Sequence, residues 1–344
     1  MWRRTFHLGS KIYAAAVCTG GASLAATLVV PKQEDNRIDG LSAPEKARHI
    51  VGPLDKTGLK ARLYQYQTCP FCCKVRAFLD YYGFDYEIIE VNPLSRKEIK
   101  FAPGQKKVPV VTCSCLNQPL IESSLIISIF STFLQRNDLS LDEVISLYPP
   151  LLQVEARTGK EVKSYPNKYF IMLEKEPLFN SDIQNAREER EWREWVDNHF
   201  IHVISPSIYR TMNESIETFK WFSKAGNWDD IFSTIEKQSA IYVGAVAMYF
   251  VSRGLKKKHN INDARKEMED SLNKWMAAIG PSRTFMGGRE PNLADIALYG
   301  AIQSFVGLDC FEEMKRKTNI EKWFNAMDKL VKERHGSKYL KNRC

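Results

Sequence analysis

Residues 66–72 read Tyr66-Gln67-Thr68-Cys69-Pro70-Phe71-Cys72. The segment just before, Leu63–Tyr66, alternates apolar and polar residues, which predicts a short strand. The segment that follows, Cys72–Tyr82, carries apolar side chains at i, i+3, i+4 and i+7 spacing, which predicts a helix ended by Gly83. Cys69 is therefore expected at the junction of a strand and a helix.

This position favours a reactive thiol at Cys69. Free N–H groups and partial positive charge at a helix N-terminus stabilise a thiolate. Pro70 suits the first helical turn, where no N–H is needed. Cys72 lies one turn further on and can resolve a mixed disulfide. A Cys-x-x-Cys pair between a strand and a helix predicts a thioredoxin-like redox site, with two inert buried thiols as the plain alternative.

The elements that follow complete an α/β domain. Strands are predicted at Tyr86–Val91, at Val108–Cys113 and at Pro119–Ile121, and a helix at Leu125–Gln135. A strand-helix-strand beginning implies that the first two strands are parallel. The sequence therefore predicts a thioredoxin-like, specifically glutaredoxin-like, fold for this part of the chain.

Two further motifs predict a glutathione site. A cis bond between Val108 and Pro109 would present the backbone N–H and C=O of Val108 to a peptide, whereas a trans proline would only start a strand. Glu122 and Ser123 open a helix whose free N–H groups can hold a carboxylate, although Ser123 can equally be an N-cap. The γ-glutamyl end of glutathione carries a carboxylate and an ammonium, which match these groups.

The second half of the chain reads as helical. Residues 138–185 form a connecting insertion that we interpret as a lid or spacer, and the helical pattern is interrupted at Ile204–Thr211. Tyr242–Leu255 is apolar with small residues and is interpreted as a buried helix. Asn292 and Asp295 have the spacing of a capping box, so Asp295 is predicted to be structural.

The first residues read as a leader. Residues 12–30 contain no charged side chain and follow Arg3, Arg4 and Lys11. Nineteen helical residues rise about 28 Å, close to a bilayer core, which favours a single membrane anchor. A mitochondrial presequence, a cleaved secretory signal and a disordered leader stay open. A polar linker with several prolines and glycines follows, and residues 1–57 are assigned to leader and linker.

The composition of the chain speaks to whether it binds nucleic acid or metal ions. The 344 residues carry a net charge of +8, but 49 basic residues are spread among 41 acidic ones, so no nucleic-acid partner is expected. The eight cysteines and six histidines show no metal-ligand spacing, so no metal site is expected. Cys113, Cys115 and Cys310 are interpreted as small buried or strand side chains.

The order of these motifs resembles the glutaredoxin and glutathione S-transferase N-terminal fold, and the capping box resembles the all-helical C-terminal domain of the transferases. We therefore expect a thioredoxin-like domain at 58–137 and a helical domain at 186–335. Residues 63–80 resemble more specifically the membrane-associated prostaglandin E synthase family. The resemblance runs from about Leu63 to Trp323 and includes Met286-Gly287-Gly288; Glu122 departs from the aspartate common in the family.

The resemblance implies an isomerase that converts prostaglandin H2 to prostaglandin E2. It implies that Cys69 is the essential thiol, that Tyr66 beside it donates a hydrogen bond, and that Cys72 is less essential. It implies glutathione at Val108, Pro109, Glu122 and Ser123, and haem together with glutathione. It also implies a homodimer at the Golgi membrane, with mitochondrion or cytosol as alternatives. The basic residues before the anchor would place the domain in a lumen. A thiol enzyme that uses reduced glutathione favours the cytosolic side, which we expect.

Two other functions stay open. The first is a glutaredoxin-like thiol-disulfide oxidoreductase or glutathione transferase that acts on another small lipophilic substrate. The second is a glutathione- and haem-binding protein at a membrane that has no turnover. The Cys69–Cys72 pair speaks against a purely structural role.

Overall fold

The computed structural model describes residues 48–102, 104–154, 161–173 and 180–341. These residues belong to one compact unit. The expected anchor at 12–30 lies outside the described residues. Within the described ranges, no helix is both long and apolar enough to cross a membrane.

A five-stranded sheet organises the N-terminal half, in the order β1-β3-β2-β4-β5. Its strands are β1 (Arg48–Ile50), β2 (Ala61–Gln65), β3 (Tyr86–Glu90), β4 (Val110–Thr112) and β5 (Leu120–Ile121). β2 and β3 are parallel, and every other neighbouring pair is antiparallel. The parallel pair is joined through helix α1 (Pro70–Tyr82), as such pairs require a crossover. The predicted thioredoxin-like fold is confirmed.

The assignment of all residues up to 57 to leader and linker is wrong in its last part. Arg48–Ile50 form the edge strand β1, which pairs antiparallel with β3 through Arg48 and Ile88, His49 and Glu87, and Ile50 and Tyr86. A three-residue edge strand with mostly exposed side chains has no alternation that a sequence pattern can detect. Its hydrogen bonds to β3 therefore define it.

Two helices flank the reactive segment. α1 begins at Pro70 and ends before Gly83, whose φ of 75° is the left-handed conformation predicted for a helix stop. α2 (Ser123–Gln135) is buried from Ser123 to Leu134. Because α2 has no solvent face, it is enclosed between the sheet and the elements that follow.

The connecting insertion has structure of its own. It contains α3 (Leu141–Ser146) and a hairpin of β6 (Leu151–Val154) and β7 (Glu161–Ser164). The segment Tyr165–Leu173 then packs on α2: the hydroxyl of Ser128 donates to the carbonyl of Lys168 at 2.6 Å, and the N–H of Met172 donates to the hydroxyl of Thr132 at 3.0 Å. This segment brings residues of the insertion to the start of α2.

The helical part contains ten helices among the described residues. They are α4 (Asn180–Trp195), α5 (Ile201–Ile208), α6 (Met212–Ala225), α7 (Trp228–Ile231), α8 (Thr234–Lys258), α9 (Ala264–Ile279), α10 (Leu293–Gln303), α11 (Asp309–Lys317), α12 (Ile320–Lys332) and α13 (Lys338–Lys341). A π-helical turn, Val196–Phe200, joins α4 to α5. The predicted all-helical C-terminal domain is confirmed.

The predicted interruption at Ile204–Thr211 is present only in its last part. α5 continues through Pro206 and ends at Ile208. Pro206 lies in the last turn of this short helix, so its missing N–H costs a single helical hydrogen bond. The chain leaves the helix at Tyr209, and α6 starts with the side chain of Thr211 as its N-cap.

The interpretation of Tyr242–Leu255 as a buried helix is also wrong. This segment is part of α8, where Tyr242 is 51% exposed and Phe250 is 63% exposed. Only one side of α8 packs on α6, where a Cβ on Gly244 would stand 2.3 Å from the ring of Phe219. The small residues do permit close contact, as expected, but they cover one face of the helix and leave an apolar face in solvent.

α1 and α10 meet through their backbones. A Cβ built on Gly300 would lie 2.6 Å from the Cα of Lys74 and 2.8 Å from the carbonyl oxygen of Cys73. Only a glycine permits this approach without displacement. The helix that begins at the reactive cysteine is therefore packed directly against the centre of the helical domain.

The capping box at the start of α10 is present as predicted. Asn292 accepts hydrogen bonds from the backbone of Ala294 and Asp295, and Asp295 accepts one in return from the N–H of Asn292 at 3.0 Å. Asp295 also accepts from the N–H of Met286 at 2.9 Å and from the indole of Trp323 at 3.0 Å. The buried carboxylate therefore joins three segments of the chain, which is a structural role.

Candidate active site

Cys69 is the N-cap of α1. Its backbone is extended, with φ −76° and ψ 123°, and its N–H donates to the carbonyl of Tyr66 at 3.0 Å. Its own carbonyl accepts from the N–H of Cys73 at 2.8 Å, the first bond of the helix. The sulfur thus lies where the helix N–H groups point, as the sequence predicts.

The environment favours a thiolate at Cys69 and a thiol at Cys72. A hydrogen bond from the Cys72 side chain lowers the pKa of Cys69 most, and the backbone N–H groups of Cys72 and Phe71 and the charge of Arg76 lower it further against the effect of burial. Burial raises the pKa of Cys72 well above its usual value, as does its bond to the neighbouring sulfur. Both cysteines are free. The pair therefore consists of a sulfur that favours the thiolate form and a neutral thiol that donates a hydrogen bond to it.

Cys73 packs behind the site. Its thiol donates to the carbonyl of Gln67 at 3.3 Å and receives a contact from Arg76 at 3.2 Å. Burial raises its pKa to about 11, so it stays protonated at neutral pH. Cys113 and Cys310 are also buried, whereas Cys115 is exposed, which contradicts the expectation for that residue.

Tyr66 lies beside the two thiols. Burial raises the pKa of its hydroxyl, a hydrogen bond from Arg96 opposes this, and the charges of Cys69 and Cys72 raise it further. The hydroxyl therefore stays protonated at neutral pH and can give a proton to a stronger base. Its hydrogen bond to Cys69 stays a prediction.

The charge of Cys69 also acts on a second tyrosine, which lies in the helical domain. Tyr209 follows α5 and is buried; burial raises the pKa of its hydroxyl first, and the charge of Cys69 raises it next. Sequence reasoning did not assign this residue to the site. Tyr209 comes after the end of a helix that was itself placed wrongly, so the sequence carried no signal for it.

The glutathione motifs are brought to the same end of the sheet. The Val108–Pro109 bond is cis, as predicted, and it leads directly into β4. β4 lies between β2, which leads to Cys69, and β5, which leads to Glu122. The structure thus places these three motifs on adjacent strands or their ends.

Ser123 is not the N-cap of α2. The N-cap is Glu122, whose backbone has φ 72° and ψ 105°, and no side chain caps this helix start. A non-glycine residue in this region costs of order 1–3 kcal/mol and marks a functional position more often than a random one. The hydroxyl of Ser123 is buried and, among the described residues, has no hydrogen-bond partner.

These two residues fit a glutathione head group. An unpartnered buried hydroxyl costs about 1–3 kcal/mol, a penalty that a ligand carboxylate removes. Glu122 offers a carboxylate to a ligand ammonium, and the first N–H groups of α2 are free of side-chain caps. The donor and acceptor set therefore matches the ammonium and carboxylate of the γ-glutamyl group.

A buried polar network holds the loop before Cys69. The N–H of Gln67 donates to Glu90 at 2.6 Å, and Arg76 donates to the carbonyl of Gln67 at 3.1 Å and to the side chain of Gln65 at 2.7 Å. Burial raises the pKa of Glu90 to about 7, against the hydrogen bond from Gln67 and the charge of Arg76. Sequence reasoning missed this network because its members are on three elements.

Together the fold and site define a class: glutathione transferase-like proteins with a cysteine at the start of the first helix. A family model for the glutathione S-transferase N-terminal domain matches residues 63–132. Prostaglandin E synthase 2 of Mus musculus is 40% identical over 325 residues, which cover 93% of this chain and 81% of the mouse protein. The Danio rerio protein of the same name is 41% identical over 279 residues, covering 80% and 72%. The chain belongs to the prostaglandin E synthase 2 family.

Solved structures are more distant. A beta-etherase from Sphingobium sp. aligns with a TM-score of 0.47 at 13% identity, over 80% of this chain and 99% of its own. Human glutathione transferase theta-2, solved with glutathione, aligns with a TM-score of 0.44 at 14% identity, over 82% and 87%.

Proposed function

We propose that this protein isomerises prostaglandin H2 to prostaglandin E2 at Cys69. The observation that carries the proposal is the thiolate-stabilising position of Cys69 beside the protonated hydroxyl of Tyr66. Two relatives of about 40% identity named prostaglandin E synthase 2 support the choice of substrate. The reaction needs a base and a proton donor, and the site contains one of each.

The proposed reaction breaks the O–O bond of the endoperoxide. The Cys69 thiolate removes the proton from a carbon that bears one peroxide oxygen and becomes a thiol. The C–H electrons form the C=O bond, and the O–O electrons leave on the second oxygen as an alkoxide. Tyr66 donates a proton to that alkoxide, and the proton on Cys69 then restores the phenol. One ketone and one hydroxyl result without an external oxidant or reductant.

Cys72 and Tyr209 have supporting roles in this scheme. The hydrogen bond from Cys72 lowers the pKa of Cys69 and so favours its thiolate. The Tyr209 hydroxyl, which burial keeps protonated, is a further neutral group on which the charge of Cys69 acts. Neither residue removes the substrate proton; both interact with the charge of Cys69. Substitution of either one is therefore expected to reduce the rate by less than substitution of Cys69 does.

Glutathione is the proposed cofactor. Val108 and Pro109 would hold its backbone, and Glu122 and Ser123 would hold its γ-glutamyl end; the buried hydroxyl of Ser123 supports this assignment. When bound, glutathione would supply a further thiol beside Cys69 and Cys72. Haem binding rests on the family resemblance alone, and no step of the proposed reaction passes through it.

Endoperoxide turnover by the full chain tests the proposal. Cys69→Ser is expected to abolish the formation of prostaglandin E2, and Tyr66→Phe to reduce kcat about 10²-fold or more. Unchanged turnover in Cys69→Ser would contradict the mechanism. Each assay is run with and without glutathione, and with and without haem, while the Soret absorbance reports haem binding directly.

The hydrogen-bonded cysteine pair also favours thiol-disulfide exchange as a second candidate. A low-pKa cysteine and a protonated cysteine one helical turn away are the arrangement that dithiol reduction requires. Cys72→Ser separates the two functions: isomerisation is expected to persist in this variant, whereas reduction of a mixed disulfide by the dithiol route is expected to fail.

The cellular setting is proposed from the sequence. The uncharged run at 12–30 supports a membrane anchor, with the domain on the cytosolic side of the Golgi membrane, where thiols stay reduced. Carbonate extraction of membranes and fluorescence of a tagged full chain test this placement. A homodimer is expected, and sedimentation velocity in detergent tests it.

A further inference from the structure

Lys168 contacts the proposed glutathione site from the connecting insertion. Its ammonium lies 3.0 Å from Oε2 of Glu122. The side chains of both residues are about one third exposed, 30% and 35%, so both reach the surface of the site. That oxygen of Glu122 accepts no well-aligned hydrogen bond among the described residues, so Lys168 contacts it as an ion pair.

The backbone of Lys168 is fixed on two sides. The hydroxyl of Ser128 on α2 donates to the carbonyl of Lys168 at 2.6 Å. At the next residue, Arg193 on α4 donates to the carbonyl of Tyr169 at 2.9 Å, and the hydroxyl of Tyr169 donates to Asp197 at 3.0 Å. Since the main chain is held by both domains, only the flexible stem of Lys168 is free to move.

Three side chains therefore surround the start of α2: the carboxylate of Glu122, the ammonium of Lys168 and the buried hydroxyl of Ser123. A simple anion would meet Lys168 and Ser123 but would be repelled by Glu122. A simple cation would meet Glu122 but would be repelled by Lys168. An α-amino acid head group carries one charge of each sign and satisfies both partners.

We propose that Lys168 is a binding residue for the α-carboxylate of a γ-glutamyl ligand. On binding, its ammonium leaves Glu122 for the ligand carboxylate, which Ser123 also contacts, and Glu122 takes the ligand α-ammonium. The site thereby selects ligands that carry both groups. The inference rests on the proposed glutathione site and adds to it a residue from the insertion.

Ligands that lack one charge test the assignment. Binding to the full chain is measured by calorimetry with glutathione, with γ-aminobutyryl-Cys-Gly, which lacks the α-carboxylate, and with glutaryl-Cys-Gly, which lacks the α-ammonium. Lys168→Met is expected to weaken glutathione about tenfold or more, which corresponds to about 1.4 kcal/mol. The same variant is expected to bind γ-aminobutyryl-Cys-Gly at least as well as the unchanged protein does.

Three further measurements make the test specific. Lys168→Arg, which keeps the positive charge, is expected to retain most of the affinity. Lys163→Met removes an exposed lysine of the same insertion and is expected to change nothing. Glu122→Gln is expected to weaken glutathione. It is expected to bind glutaryl-Cys-Gly at least as well as the unchanged protein does, because that peptide has no ammonium and its carboxylate is no longer repelled by Glu122.

The outcomes separate the two proposals. If Lys168→Met weakens both amine-bearing peptides equally, or weakens neither, the role of Lys168 is wrong while the glutathione site stands. If the unchanged protein binds none of the three peptides, the glutathione site itself is wrong. Urea unfolding of each variant shows whether a lost affinity reflects a lost fold.

Discussion

Lys74 and Asp197 form a fully buried ion pair between α1 and the π-helical turn. Lys74 has no exposed side-chain area and Asp197 has 6%, and their charged atoms are in direct contact. Ser124 donates to the same carboxylate at 2.5 Å and Tyr169 at 3.0 Å. The helix that starts at Cys69, the start of α2 and the insertion are thus tied to one carboxylate of the helical domain.

Loss of one member of this pair is expected to destabilise the protein strongly. Lys74→Met leaves the Asp197 charge buried without its partner, and the expected loss is about 3–5 kcal/mol in the free energy of unfolding. Urea denaturation followed by circular dichroism measures it. Lys74→Met combined with Asp197→Leu is expected to recover most of the loss, since no unpaired charge remains.

The control is an exposed pair on α9. Lys266 contacts Asp270 at 2.7 Å with more than half of each side chain in solvent. Lys266→Met is expected to change stability by less than about 1 kcal/mol. Equal losses for the two lysines would show that the buried pair has no special role.

The ionisation of Cys69 is expected to depend on Cys72. Alkylation of Cys69 by iodoacetamide, followed by mass spectrometry, is expected to have its midpoint below the pH of an ordinary thiol, because the pKa of Cys69 is lowered. Cys72→Ala removes the principal donor, so the thiolate is less favoured and the midpoint is expected to rise. Cys72→Ser keeps a hydroxyl donor and is expected to raise the midpoint less. Identical midpoints in all three proteins would show that Cys72 does not lower the pKa of Cys69.

Glu90 is expected to make stability fall as the pH rises. Its pKa is about 7 in the folded protein and 4.5 when unperturbed, so between these values the native state binds more protons than the unfolded state. The contribution of Glu90 is complete below pH 4.5 and is lost as the pH rises through 7. At 1.36 kcal/mol for each unit of pKa, the loss is about 3 kcal/mol.

Urea midpoints of the wild type and of Glu90→Gln across this pH range measure that contribution. The difference between the two proteins is expected to change with pH, whereas Glu87→Gln, on the same strand and partly exposed, is expected to follow the wild type. If the urea midpoints of Glu90→Gln and of the wild type change with pH in parallel, Glu90 titrates normally.

Asp295 is expected to matter for folding and not for chemistry. Asp295→Ala leaves buried donors at Met286, Gly287, Asn292 and Trp323 without their acceptor, and the expected loss is about 3 kcal/mol or more. Urea denaturation measures the loss. In the folded fraction of Asp295→Ala, the alkylation rate of Cys69 is expected to be unchanged. A slower rate under conditions where the variant is fully folded would indicate that Asp295 acts directly on Cys69.

The features predicted well were those whose signals lie within a few residues. Pro70, the apolar spacing of α1 and Gly83 all fall in one short stretch, so the helix and the position of Cys69 could be predicted. The cis bond at Pro109 and the helix start at Glu122 were likewise local. The alternative in which Ser123 is the N-cap does not hold, because Glu122, with its positive φ, occupies the cap position one residue earlier.

The contacts that complete the site could not be predicted. Lys74 and Asp197 are 123 residues apart, and nothing in either local pattern reports the other. Lys168 reaches Glu122 only because the insertion folds back on α2. The prediction that the Tyr242–Leu255 part of α8 is buried was wrong for a related reason. Apolar composition indicates that a helix can pack, but it does not indicate how many of its sides contact another element.

Backbone contact at Gly300 also limits how this protein can be recombined. Side chains at an interface can change rotamer to accommodate a new neighbour, but here a Cα hydrogen faces the main chain of Lys74 and Cys73. A chimaera that grafts the thiol-bearing domain onto another helical domain would need a glycine at that point of the acceptor helix. Without that glycine, the two domains of the chimaera are expected to separate where α1 contacts the acceptor helix, close to the reactive cysteine.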